Sequence, residues 1–149
     1  MCKYLFRGKR KDNGEWVFGY YVVMAGKDYI YSTEDAKHYE IISETLGQWS
    51  QLTDKYGTKI FEDDIYKTQP YRNRPYSKTT KTKQHIGLVE YITYKWNNPH
   101  YDQTYNGMWR VKIKDYDGYN YSDWSEFYQG EVIGNKWDNP ELLEDKQSD

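Results

Sequence analysis

The sequence predicts a mainly β protein, all-β or α+β with a minor helix, built from twisted antiparallel sheets or small barrel-like units. Three observations carry this. Aromatic residues make up 19% of the 149-residue chain, with 18 Tyr and 6 Trp, and with the frequent Val, Ile and Thr they suit pleated, half-buried surfaces. Short alternating or continuous apolar runs recur, each closed by turn residues. Helix-start signals are few, a weak one at residues 32–37 and a fuller one near the C-terminus.

In chain order, Tyr4-Leu5-Phe6-Arg7 opens the first strand, and Lys11-Asp12-Asn13-Gly14 turns it with a glycine available for positive φ. Residues 15–24 return as the second arm of a hairpin. That arm is too continuously apolar to leave one face fully wet, and Gly19 within it marks a bulge or a close backbone approach. Ala25-Gly26-Lys27-Asp28 turns again into Tyr29-Ile30-Tyr31. Residues 32–37 hold a weak capping-box pattern with little apolar period behind it, so they read as one helical turn or a loop. Tyr39-Glu40-Ile41-Ile42 alternates like a strand. Residues 48–52 and 58–61 pair around the turn Asp54-Lys55-Tyr56-Gly57.

Residues 69–84 carry Pro70 and Pro75 and no large aliphatic side chain, which reads as a mobile basic loop. Residues 86–94 form a strand that Asn97-Asn98-Pro99 ends, and a polar stretch follows to Gly107. Residues 108–114 alternate between apolar and basic positions. Glu131-Val132-Ile133-Gly134 is a short last strand. Asn139-Pro140-Glu141 supplies an N-cap, a proline at the first helical position and an acid in the first turn, so a brief C-terminal helix is expected. The organisation is one domain over residues 1–145 with a polar tail at 146–149.

A mean hydropathy of −1.13 and a charged fraction of 30% fit this fold if Tyr and Trp supply buried area while their polar atoms reach partners or solvent. The net charge of −2 argues against bulk electrostatic binding to nucleic acid or an anionic membrane. The charge is uneven. Lys67, Arg72, Arg74, Lys78, Lys81 and Lys83 follow one another without a carboxylate, whereas acids dominate between Asp117 and Asp149. Cys2 is the only cysteine, which leaves no intrachain disulfide and no Cys-based metal site. No apolar run has membrane-span length and no signal-peptide pattern opens the chain, so a cytoplasmic location is expected.

Three blocks, in order and spacing, resemble the YopX family of small phage- and prophage-encoded proteins. The first comprises Phe6-Arg7-Gly8, Gly14-Glu15-Trp16-Val17 and Gly19-Tyr20. The second runs from Thr45-Leu46-Gly47-Gln48 through Leu52-Thr53-Asp54-Lys55 and Gly57-Thr58-Lys59-Ile60-Phe61-Glu62 to Asp64-Ile65. The third is Glu131-Val132-Ile133-Gly134-Asn135 and Asn139-Pro140-Glu141-Leu142-Leu143. The resemblance implies a β fold and a phage-derived accessory role, without a catalytic site to carry over. The family pattern has Gly where this chain has Asp63, and Asn-Gly where it has Tyr56-Gly57. Asp tolerates a left-handed φ better than most residues, so the turn at 63 survives. At the other turn Gly57, and not Tyr56, is expected to take the positive φ.

Candidate chemistry is thin. Glu62-Asp63-Asp64 is the densest carboxylate cluster, but neighbours on a strand point to opposite faces, so an acidic turn is the expected reading. His100 and Asp102 lack a third ligand, and Ser43, His38 and Asp35 lack a nucleophile elbow. No enzyme activity, metal or cofactor is expected. The candidate binding residues are Tyr71, Arg72, Arg74, Tyr76, Lys78, Lys81 and Lys83, with cations for phosphates and tyrosines for stacking on bases. The aromatic strands around Trp16, Tyr20 and Trp109 offer more apolar surface than one small core needs. The leading functional reading is therefore a non-enzymatic protein-interaction or self-assembling module, expected as a homo-oligomer or bound to a host or phage protein. A nucleic-acid-binding module using residues 70–83 is the alternative.

Overall fold

A computed structural model describes residues 4–68, 84–98, 101–113 and 129–144, with the backbone alone for 93–98, 101–106 and 113. The chain is mostly β, arranged in two antiparallel sheets. It divides into two compact units, Met1–Leu52 with Lys59–Glu62, and Thr53–Thr58 with Asp63–Asp149. None of its described helices is long and apolar enough to cross a membrane.

The first unit holds strands β1 (Phe6–Lys9), β2 (Trp16–Met24), β3 (Lys27–Ser32), β4 (His38–Glu40), β5 (Gly47–Thr53) and β6 (Lys59–Phe61). They form one sheet in the order β4-β3-β2-β1-β5-β6. Turn chemistry explains the meander from β1 to β4. Gly14 takes φ 74°, and Ala25 and Gly26 take φ 49° and 73°, the paired positive values that match a two-residue hairpin turn to strand twist. At 32–37 no helix forms. Ser32 Oγ accepts the Glu34 N–H at 3.2 Å and Ala36 turns at φ 58°, which offers the backbone a local alternative to a helical turn.

Register sorts side chains onto the two faces, because directly opposed residues share a side. Val17, Ile30 and Ile41 form the core of one face, with Phe6, Tyr39 and Leu46 packed against them. Thr45 locks this side shut. Its Oγ1 accepts the Lys9 N–H at 2.8 Å and donates to the Ile42 carbonyl at 2.6 Å, tying the 3-10 turn Ser43–Thr45 to the end of β1.

The second unit holds β7 (Asp64–Lys67), β8 (Ile86–Asn98), β9 (Tyr101–Ile113) and β10 (Glu131–Asn135) in the order β10-β7-β8-β9. Ile65, Tyr66, Val89 and Val111 are fully buried. Two expectations change here. β8 does not stop near Tyr94, and β9 starts at Tyr101 and not near Met108, because the polar stretch pairs across a long hairpin from Gly87↔Ile113 to Asn98↔Tyr101. Cross-strand pairing offsets the low strand propensity of Asn97, Asn98 and Asp102. The expected C-terminal helix is a single 3-10 turn, Pro140–Leu143. Asn139 makes no side-chain cap; its Oδ1 instead accepts the Asn135 N–H at 3.3 Å, so the cap is spent on closing the end of β10.

The turns before β6 and β7 behave as their residue types require. Asp63 takes φ 66° and Gly57 takes φ 82°, while Tyr56 stays out of the left-handed region. The Asp63 backbone donates to Val89 at 2.9 Å and accepts from Lys136 at 3.0 Å, and its carboxylate pairs with Lys136 Nζ at 3.0 Å. Asp63→Gly removes backbone strain and a partly exposed ion pair together, so stability is expected to stay within about 1 kcal/mol. Asp63→Val keeps neither tolerance and is expected to cost about 2 kcal/mol or more. Urea unfolding of the two variants side by side checks the contrast.

Candidate functional site

On the face of the six-stranded sheet opposite its core, alternation brings Trp16, Phe18 and Tyr20 of β2 to the same side. Pairing adds neighbours on both flanks. Arg7 lies opposite Phe18, and Lys9 opposite Trp16. Tyr31 lies opposite Tyr20, and His38 opposite Tyr31. Gly47 lies opposite Arg7, which puts Trp49 two residues on along β5 on the same side.

The rings touch in sequence. Phe18 meets Phe61 of β6 at 5.6 Å between centroids, Tyr20 stacks on Tyr31 at 6.5 Å, and Tyr31 meets the His38 ring at 4.9 Å. Cations are set among them. The Arg7 guanidinium lies 4.6 Å from the Trp16 ring and 5.0 Å from Phe61, and its Nη2 donates to the Glu62 carbonyl at 3.1 Å. Lys9 Nζ lies 5.5 Å from Trp16, and Lys59 Nζ lies 5.8 Å from Trp49. Such contacts favour a cation over a ring face. Arg7 is only 7% exposed, yet Phe18 and Tyr20 keep 43% and 38% of their surface open. The arm was expected to have no fully wet face. It has a lattice of rings in which Phe61 is buried while Phe18 and Tyr20 leave part of their surface to solvent.

Among the described residues of these strands, Glu40 is the one carboxylate that the register puts on this side. Hydrogen-bonded ion pairing with Lys11 at 2.8 Å, and pairing with Lys27 at 3.4 Å, hold its carboxyl below the usual range. The described strand residues of the face are therefore aromatic and cationic, and their one acid is paired with lysines at one edge.

The other candidate groups do not assemble. Ser43 Oγ donates to Asp28, which also accepts from the Tyr21 hydroxyl, and these two donors hold the Asp28 carboxyl low. Asp35 accepts from the Tyr39 hydroxyl, and His38 packs on Tyr31, so Ser43, His38 and Asp35 have separate partners. In the acidic run, Asp63 pairs with Lys136 and Asp64 is buried at the start of β7. No group of three His, Cys, Asp or Glu among the described residues is arranged to hold a metal ion. His100 lies outside the described residues.

Tyr71, Arg72, Arg74, Tyr76, Lys78, Lys81 and Lys83 also lie outside the described residues. Of the aromatic strands singled out by sequence, Trp16 and Tyr20 share the face just described, whereas Trp109 belongs to the second unit and packs on Tyr91 at 5.1 Å. Sequence reasoning missed Phe18, Phe61, Arg7, Tyr31 and His38. The alternation 16-18-20 was the readable signal for Phe18, while the others arrive only through strand register.

Neither curated proteins nor solved structures give a match. The family model described as YopX protein matches residues 5–144, nearly the whole chain, and the protein belongs to that family.

Proposed function

We propose that this YopX-family protein is a non-enzymatic interaction module of phage or prophage origin, and that the aromatic face of its first unit is the working surface. One observation carries the reading: Phe18 and Tyr20 remain about two-fifths exposed on a face whose other members are held by ring–ring and cation–ring contacts. Exposed aromatic surface on a rigid sheet is what binding sites use, since a ring with few rotatable bonds loses little entropy when covered. The polar groups there serve binding better than chemistry, because Glu40 and Arg7 are already committed to internal partners.

The test places a photo-crosslinking residue at position 18 or 20, and at Tyr56 as a control, in the cell that produces the protein. Tyr56 is 74% exposed but stands in a turn of the second unit. Discrete adducts at 18 and 20 that are absent at 56 are the expected result. Adducts no different from those at 56, or none, overturn the proposal. The mass and nuclease sensitivity of the adduct report whether the partner is a protein, a second copy or a nucleic acid.

A further inference from the structure

We infer that the aromatic face binds single-stranded nucleic acid by stacking bases on its rings; this rests on the face being the working surface. The ligand class follows from which residue types share the face. Aromatic rings alone would suit any apolar partner. Here Lys9 and Lys59 stand beside Trp16 and Trp49, and lysine is a residue that protein–protein interface cores tend to exclude. A polyanion with planar, apolar bases matches both components at once, with phosphates for the ammonium groups and bases for the rings.

Geometry narrows the class to single strands. A base must leave its duplex neighbours to lie flat on a side chain, and sheet faces with exposed aromatics use splayed bases in this way. Phe18 and Tyr20 are two residues apart on β2, a separation of about 6.8 Å, comparable with the step between nucleotides in an extended strand. Tyr31 and His38 continue the row across β3 and β4. Among the described strand residues of the face the one carboxylate that would repel a backbone, Glu40, sits at the far edge with Lys11 and Lys27 already on it. The chain's net charge of −2 means that stacking, and not bulk attraction, dominates affinity, and that the salt dependence is shallow.

The test is fluorescence anisotropy of the full chain with a labelled oligo(dT) of about 15 nucleotides, compared with a duplex and an abasic strand of the same length. The expected result is binding of oligo(dT) well above both comparators. Phe18→Ala and Tyr20→Ala should each weaken it about tenfold, whereas Tyr20→Trp, which keeps a ring, should stay within about twofold. Lys59→Gln should reduce the log–log salt slope by about 0.7, the share of one phosphate on a single strand. The inference is overturned by no binding at about 50 mM salt or by equal binding of the abasic strand. It is also overturned if the alanine variants keep full affinity while Arg72→Ala with Arg74→Ala loses it, which would put the contact on residues 70–83. A protein-mass crosslink at position 20 with no oligonucleotide binding would sink this inference and leave the interaction module standing.

Discussion

Asp54→Ala is expected to lower the unfolding free energy of the second unit by about 3 kcal/mol, far more than a turn carboxylate usually contributes. The side chain is 7% exposed. Its Oδ1 accepts the Tyr56 and Thr58 N–H groups, both at 2.9 Å, and its Oδ2 accepts the Val132 N–H of β10 at 3.1 Å. Alanine would leave three partly buried donors without an acceptor, and that desolvation cost sets the magnitude. Asn keeps one acceptor and turns an NH2 toward the others, so Asp54→Asn should fall between. Hydrogen exchange at the Val132 and Thr58 amides checks the effect within the unit, and unchanged protection would contradict it.

The same carboxylate gives a pH dependence with a definite sign. Burial opposes its ionisation, but the Val132, Thr58 and Tyr56 amides outweigh burial and hold its carboxyl below the ordinary range. A folded value below the unfolded one, about 3.9, means that its contribution is complete above that pH. The contribution is lost as pH falls through the folded value. The wild-type chain should therefore show a steeper acid limb than the alanine variant, in which carboxylates such as Asp28 and Glu40 still contribute. Tyr66 bounds the other side. Burial, reinforced by the Asp54 charge, pushes its hydroxyl up to about 12, so its contribution is complete below its unfolded value near 10 and disappears as pH rises through the folded one. Removing the Asp54 charge should let Tyr66 titrate at lower pH, visible in phenolate absorbance.

Gly19→Ala is the second large effect, with an expected loss of about 3 kcal/mol, at the upper end of overpacking costs. A methyl group there would sit 1.9 Å from the Tyr31 carbonyl oxygen and 2.8 Å from its carbon. Both are backbone atoms of the adjoining strand, so no side chain can swing away. β2 and β3 must separate at the Gly19↔Ser32 pair, beside the Tyr20–Tyr31 stack. Guanidinium unfolding should show the shifted midpoint, and near-ultraviolet circular dichroism should show the disturbed tyrosines. A midpoint within experimental error of wild type would mean that β2 and β3 take up the added methyl without separating.

Much of this was legible in particular residues. Gly19 announced a bulge or a close approach, and the Tyr31 carbonyl against it makes it the second. Asp63 announced a left-handed turn because its short polar side chain tolerates one. The alternation of Trp109, Arg110, Val111 and Lys112 gave β9 its two faces. What stayed hidden depended on partners distant in sequence. Residues 101–107 look like loop until β8 is beside them, and the Asn139 carboxamide looks like a helix cap until Asn135 claims it. The working face was half visible: β2 advertised Trp16 and Tyr20, but only register brings Phe61 from β6 and Arg7 from β1 to them.

The pairing of β10 with β7, from Glu131↔Lys67 to Asn135↔Asp64, bears on how the chain assembles as it is made. Strands β1 to β4 join through near neighbours, and β6 ends at Phe61, so every strand of the first sheet has left the ribosome while the rest is still being synthesised. The second unit opens with the turn at 53–58 and needs β10, translated well after β7, to cover the outer edge of β7. Until Val132 arrives, Asp54 Oδ2 lacks that donor and β7 presents an uncovered edge, the kind of template that recruits foreign strands. Contacts between segments so far apart in sequence also form slowly. Translation therefore imposes an order, with the surface proposed for binding finished first. A premature stop codon before residue 131 would release a first unit with all its strands attached to a remainder that cannot close.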